Sequence, residues 1–327
     1  MEKKLNFVVS KTPLRISFLG GGTDIPYFYR NFEGSTFSTA IDKFVYVTIK
    51  RHTHYFIEKY RLNYHESENC QSVESIKNSI IRETIKYFKI KTPLYISIIS
   101  DVPTGTGLGG SSSFLVGLIN ALCKLENIRL TKKKIFELAV HIELDILKKP
   151  IGKQDHIPAV YGGLSYSVYK KNEDVIIKKF KINISKIPMN IFWTKKTREA
   201  HKLLKVQKEK FFVNIENLQL MKDITNKYCK NVFRENYLNI NELIKALNKS
   251  WALKKSLNSE ITFSVADKFI NNMTKKSLGA KILGAGGGGF ILILGRIDKN
   301  ILKKNFGKMI NEKVNISHEG SKILIAQ

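Results

Sequence analysis

The stretch VPTGTGLGGSSSF, residues 102–114, sets Gly105, Gly107, Gly109 and Gly110 directly before a run of serines. Glycine loses more conformational freedom on ordering than any other residue, so such a cluster serves close backbone approach to something. The loop follows the alternating run LYISIIS and opens onto SSSFLVGLINALCKLEN, where Phe114, Leu115, Leu118, Ala121, Leu122 and Leu125 recur at helical spacing. Strand, glycine loop and helix start gather unpaired N–H groups and the positive end of a helix dipole at one point. That is a cradle for an anion, and a polyphosphate is its natural occupant. A serine-capped tight turn needs fewer glycines.

Among the acids, Glu143 carries the clearest signal. On a helix its neighbours three and four residues away are Ala139, Val140, Ile146 and Leu147, all apolar. A carboxylate on such a face is costly unless paired or bound to a cation. Glu137, near Lys133, Lys134 and His141, is an ordinary solvated acid. Asp155 in GKQDHIPA reads equally as a chemical group or as a helix N-cap ahead of Pro158. Asp24, closing GGGTD just before Pro26, has the same two readings. The turn LGAGGGG holds more glycine than a hairpin requires, so Gly286 and Gly287 are expected to approach substrate or phosphate.

The elements that must position these groups are legible in outline. Runs at 5–9, 13–19, 36–51, 54–59 and 94–100 read as strands, and 75–88, 112–126 and 132–147 as helices. LSYSVYK and VIIKKF add two strands before a polar stretch near 181–188. The chain is then mainly helical from about 196 to 275, and KILGAGGGGFILILG reads as strand, glycine turn and strand before a final helix and strand. Strands and helices without strict alternation argue an α+β fold. At 327 residues two domains are expected, 1–185 and 186–327, and no internal repeat is visible.

Composition excludes several classes. Apolar content of 43% marks a globular chain, and no apolar run reaches the length of a membrane span. The Lys-rich start lacks the apolar core and small-residue cleavage site of a signal peptide. Cys70, Cys123 and Cys229 are odd in number and far apart, which disfavours a disulfide scaffold or zinc site and fits a reducing cytoplasm. The formal charge of +27 is spread as short lysine pairs such as Lys148-Lys149 and Lys178-Lys179 amid Ile and Asn. No recognition helix, zinc finger or aromatic RNA-binding signature accompanies it. A solvated basic surface that draws in an anionic small molecule is expected, with no nucleic-acid or membrane partner.

Gly105, Gly107 and Gly110 match G-x-G-x-x-G, but the window where a dinucleotide fold needs its acidic strand end is still helix. There is no Lys before Ser or Thr as in a Walker A loop, and no H-R-D or D-F-G. The surviving pattern, P-x-x-x-G-L-G-x-S-S, resembles the ATP loop of the GHMP small-molecule kinases. TPLRISFLGGGTD (12–24) resembles that family's N-terminal motif and KILGAGGGGFIL (281–292) its C-terminal glycine motif. FLGGGTD, GLGGSSSF and GKQD are most similar to the branch holding the L-fucose and D-glycero-D-manno-heptose 7-phosphate kinases.

The resemblance implies an N-terminal domain like ribosomal protein S5 domain 2, a ferredoxin-like C-terminal domain, and a site between them. It implies ATP and Mg²⁺ as cofactors, with Pro103, Thr106, Gly107, Leu108, Gly109, Gly110, Ser111, Ser112 and Ser113 around the nucleotide. Glu143 and Ser111 would hold the metal, although G-G-S-S-S in place of G-S-S-A leaves Ser112 as an alternative. Asp155 matches the catalytic aspartate and Arg15 the cation beside the transferred phosphoryl group. Gly21, Gly22, Thr23 and Asp24 would meet the sugar. Gly21 and Gly22 stand where galactokinases carry E-H, which argues against galactose. Arg198, in WTKKTREAHKLL, would meet a distal phosphate. The implied activity is ATP-dependent phosphorylation of the anomeric hydroxyl of D-glycero-D-manno-heptose 7-phosphate to the 1,7-bisphosphate, for nucleotide-activated heptose. The alternatives are a kinase for an unphosphorylated sugar such as L-fucose and a catalytically silent ATP- and sugar-binding regulator. A homodimer is compatible with the resemblance.

Overall fold

The computed structural model describes residues 5–53, 55–180, 187–197, 211–298 and 309–327. Its strands, in chain order, are β1 (Phe7–Leu19), β2 (Gly34–Arg51), β3 (Tyr60–Asn63), β4 (Ser67–Cys70), β5 (Leu94–Ser100), β6 (Leu164–Tyr169), β7 (Val175–Lys179), β8 (Met189–Trp193), β9 (Gly279–Ile282), β10 (Phe290–Leu294), β11 (Ile310–Val314) and β12 (Lys322–Ala326). The helices are α1 (Pro26–Phe32), α2 (Ser79–Tyr87), α3 (Gly110–Leu125), α4 (Lys132–Val140), α5 (His156–Tyr161), α6 (Phe211–Glu235), α7 (Ile240–Ser256) and α8 (Ser264–Thr274).

The strands form two sheets. The first runs β12-β1-β2-β5-β3-β4, with β6 and β7 continuing from the other end of β2. The second runs β11-β8-β10-β9 and is antiparallel throughout. The α+β class expected from the sequence is the observed one. β1 is a single strand where two runs were expected, and its register against β2 slips at Pro13/Leu14, since proline has no N–H for the ladder. The strand expected at 54–59 lies further on. Tyr55, Phe56 and Ile57 are exposed, whereas Tyr60 and Leu62 reach the core, so the ladder with β5 starts at Tyr60. β7 and β8 belong to different sheets, yet β12 returns to pair with β1, so a cut at 185 does not divide the sheets into two continuous halves. Residues 198–210 and the helix expected before β11 fall outside the described residues.

α3 lies on β1 and β2, burying Leu115, Leu118, Ile119 and Leu122 against Leu14, Ile16, Val47 and Ile49. Each such side chain contributes roughly 1.5–3 kcal/mol of burial. A second core gathers Trp251, Phe269, Met273, Ile282, Ile291 and Ile293 between α7, α8 and the second sheet. The sheets are tied at one edge by Lys281 on β9, whose ammonium donates to the carbonyls of Ser17 and Phe18 on β1, 3.1 Å each.

Candidate active site

The glycine loop ends β5 and starts α3. Gly105, Gly107 and Gly109 all take left-handed backbone, and Gly109 is the residue that starts the helix. At Gly107 a side chain is excluded twice over: φ is +80°, and a Cβ would lie 2.5 Å from the Leu283 carbonyl oxygen. Gly110 differs, because a Cβ there would meet nothing within 4 Å. It fronts open space at the helix start, where an anion can come up against backbone N–H groups.

β1 carries Arg15 to the same place, almost wholly buried. Its Nε and Nη2 donate to the two carboxylate oxygens of Asp155, 2.7 Å each, and Nη1 donates to the Gly107 carbonyl. Asp155 starts α5, but its side chain makes no capping bond. Its charge is spent on Arg15.

Asp24 does not cap either, because the N-cap position of α1 is Ile25 and no side chain caps it. Its carboxylate accepts from Gly22 N at 3.0 Å, Gln154 N at 3.1 Å and Gln154 Nε2 at 3.2 Å. A Cβ on Gly152 would sit 1.8 Å from Asp24 Oδ2, so the glycine of GKQD is demanded by the aspartate of GGGTD. Burial, and then the charge of Asp155, raise the Asp24 pKa from 3.8 to about 6, against the pull of its N–H donors.

Glu143 projects from a π-helix, His141–Ile146, that continues α4. Its carboxylate has no solvent exposure. Ser111 Oγ donates to Oε1 and Ser112 Oγ to Oε2, 2.6 Å each, and Lys149 Nζ lies 2.8 Å from Oε1. His156 Nε2 is 2.8 Å from Oε2, although its angle is poor for a hydrogen bond. Burial alone pushes the Glu143 pKa up. His156 and Lys149 more than offset this and hold it well below the ordinary carboxylate range.

These groups line one cavity of about 640 Å³. One end is apolar and aromatic, with Val45, Tyr64, Ile80, Ile98 and Phe114. The other end holds Gly21, Gly22, Asp24 and Gln154, together with two buried oxygens, Ser17 Oγ and Gln154 Oε1, that have no protein partner. Lys254 and Lys281 complete the wall.

Residues 76–163 match the family described as GHMP kinases N terminal domain. The D-glycero-alpha-D-manno-heptose 7-phosphate kinase of Campylobacter jejuni is 30% identical over 86% of this chain and 87% of its own length. The chain belongs to the GHMP kinases. The mevalonate kinase of Saccharolobus solfataricus is 27% identical over 70% of each chain. A crystal structure of a D-glycero-D-manno-heptose 1-phosphate kinase from Bacteroides thetaiotaomicron superposes with a TM-score of 0.75 at 19% identity, covering 97% of this chain and 99% of its own.

Within this GHMP kinase, most of the residues singled out in the sequence converge. Pro103, Thr106, Gly107, Gly109, Gly110, Ser111, Ser112, Arg15, Gly21, Gly22, Asp24, Glu143 and Asp155 all line the cavity. Others stand behind it. Leu108 is buried and its carbonyl accepts from Arg15 N, Ser113 Oγ donates to the Pro13 carbonyl, and Thr23 Oγ1 donates to Gly20 and Ser35 carbonyls. Gly286 and Gly287 also lie off the cavity lining. A Cβ on Gly286 would meet the Ile261 carbonyl at 2.6 Å, so that glycine serves packing within the protein, and Gly287 N donates to that same oxygen. Arg198 lies outside the described residues. Lys254, Lys281, Ser17 and Gln154 were missed.

The Asp24 environment gives a pH-dependent expectation. If ionised Asp24 holds the acceptor, kcat/KM for the acceptor drops as pH falls through about 6, and Asp24→Asn removes that limb while leaving the KM for nucleotide unchanged. An unaltered limb in the variant would assign it to another group. Stability moves the other way. The folded pKa exceeds the ordinary 3.8, so Asp24 adds stability as pH falls from about 6 toward 4.

Proposed function

We propose that this kinase transfers a phosphoryl group from ATP to the anomeric hydroxyl of D-glycero-D-manno-heptose 7-phosphate, giving the 1,7-bisphosphate. The observation that carries the reading is the cavity itself. An anion cradle, the Arg15–Asp155 pair and a pocket of unpartnered buried oxygens share one space. The choice of sugar rests on the name of the 30%-identical relative. Ser17 Oγ, Gln154 Oε1 and Asp24 are suited to a polyhydroxylated acceptor. Ser17 Oγ and Gln154 Oε1 are costly to bury without a partner, and ligand hydroxyls that reach Asp24 would satisfy them too.

In the proposed reaction the adenine enters the apolar end and the phosphates lie along the glycine loop and the start of α3. The acceptor oxygen bonds to the terminal phosphorus as the bond to ADP breaks, and the hydroxyl proton passes to Asp155 and then to solvent. Each carboxylate oxygen keeps a lone pair beyond the one given to Arg15, so Asp155 can aim the hydroxyl without releasing its partner. Phosphoryl transfer needs little covalent help, and aim and charge placement dominate. The oxygen donors Glu143, Ser111 and Ser112 suit Mg²⁺, which takes one or two carboxylates and completes its shell with water and substrate phosphates. The ammonium of Lys149, 2.8 Å from Glu143 Oε1 and 3.0 Å from Ser111 Oγ, already marks the point as one that favours a cation. When bound there, Mg²⁺ neutralises charge on the nucleotide phosphates. Free, buried thiols at Cys70, Cys123 and Cys229 suit a reducing cytoplasm.

A coupled ADP-release screen over free and phosphorylated hexoses and heptoses tests the substrate. The heptose 7-phosphate should give the highest kcat/KM, with phosphorus NMR showing a new anomeric phosphate. Turnover of L-fucose but not of the heptose phosphate would replace the proposed substrate.

A further inference from the structure

Two of the cations lining the cavity are held by carboxylates, Arg15 by Asp155 and Lys149 by Glu143. Lys254 is not. It lies in the last turn of α7, only 6% exposed, and its ammonium donates to the Gly284 carbonyl, its one hydrogen-bond partner among the described residues. An ammonium has three donors, so two remain uncommitted at a buried position that faces the cavity. A buried cation left this way is costly unless an anion completes it. Lys281 is different, because two of its donors already tie β9 to β1.

The backbone around Lys254 locates that anion. Arg15 donates to the Gly107 carbonyl and Lys254 to the Gly284 carbonyl. Those two glycines touch, since a Cβ on Gly284 would lie 2.6 Å from Gly107 Cα. The two cations therefore bracket the contact between the two glycine turns, beside the start of α3. A polyphosphate lying along the glycine loop brings its terminal group between them.

We propose that Lys254 is a ligand of the terminal phosphate of the nucleotide and holds that group as it moves to the acceptor. The role rests on the ATP-dependent reading above and adds a residue from the second core to the phosphoryl site. Burial, with the charge of Arg15, lowers the Lys254 pKa to about 8 against the opposing pull of Asp24 and Asp155. Lys281 on β9 faces the same cavity, but burial and the charges of Lys254 and Arg15 push its own pKa well down, and its amine is tied to the Ser17 and Phe18 carbonyls. Below about pH 8 Lys254 is charged, and its hold on phosphate weakens as pH rises through that value.

The test compares AMP-PNP with ADP, both with Mg²⁺, by titration calorimetry on the full chain and on Lys254→Met. Methionine replaces the buried cation with an apolar chain of similar volume, which removes the cost of burying a charge and leaves the Gly284 carbonyl without that donor. AMP-PNP should weaken by about 10-fold to 100-fold, the scale of hydrogen bonds to a charged group, while ADP binding stays within about twofold. Wild-type affinity for AMP-PNP should decline as pH rises through about 8, and the variant should lack this limb. If the methionine variant melts early, Lys254→Gln gives the same comparison with a polar chain. Equal weakening of both nucleotides, or none of either, overturns the proposal. So does loss of sugar-phosphate affinity with both nucleotides unaffected, which would move Lys254 to the acceptor. A wild type that turns over no sugar, yet loses its preference for AMP-PNP on substitution, overturns the substrate reading and supports Lys254.

Discussion

Asp155→Asn is expected to lower turnover by about 10²–10⁴-fold, the scale of a lost general base, while AMP-PNP affinity changes far less. Asparagine caps a helix about as well as aspartate, so a purely capping Asp155 would leave activity intact. The structure removes that alternative, because the side chain makes no capping bond and both oxygens accept from Arg15. It also adds a cost. The Arg15 side chain is 5% exposed, and asparagine sets an NH₂ group against one of its donors. Breaking a buried pair from one side costs about 3–5 kcal/mol, and the 24% exposure of Asp155 places the loss toward or below the lower figure. The variant should therefore melt earlier yet remain folded at assay temperature. Turnover that falls only in step with the unfolded fraction would make Asp155 a structural partner of Arg15 and nothing more.

What was legible in the sequence followed from one kind of signal, a residue type at odds with its local pattern. Glycines before a helix marked the loop, and a lone acid on an apolar face marked Glu143. The same signal was present at Lys254, which continues the buried stripe Leu243, Leu247, Trp251 along α7. It was hidden by number, because with 55 Lys and Arg in the chain another KK pair attracts no notice. Lys281, between buried Ala280 and Ile282 on β9, was hidden in the same way. Capping, one of the two readings open for Asp24 and Asp155, is not what their side chains do, and the reason is non-local. Their partners, Gln154 and Arg15, lie 130 and 140 residues away along the chain. The π-helix that carries Glu143 has no pattern of its own, since its period departs from 3.6 for a single turn. Gly286 was read as facing a ligand, but the neighbour that requires a glycine there is Ile261, which only the folded backbone brings near.

Glu143→Gln separates metal binding from internal support. Three neighbours of the carboxylate are cationic or donating, Ser111, Ser112 and Lys149, and His156 Nε2 lies 2.8 Å from its other oxygen. Glutamine keeps one acceptor, turns an NH₂ group toward these donors and strands the Lys149 charge, so melting without nucleotide should drop. The cost falls toward the range for a broken buried pair, about 3–5 kcal/mol. The pH profile of stability should change too. The folded pKa lies below the ordinary 4.5, so the stabilisation from Glu143 is present above about pH 4.5 and is lost as pH falls toward the folded value. The variant should be less stable at neutral pH and less sensitive to acid. Adding Lys149→Met removes the stranded cation and should recover much of the melting temperature. If Glu143 serves Mg²⁺, that recovery brings back no activity at low Mg²⁺, because the charge that attracts the metal is still missing. A double variant that regains both stability and wild-type turnover at low Mg²⁺ would show the carboxylate to be a counter-charge for Lys149 alone.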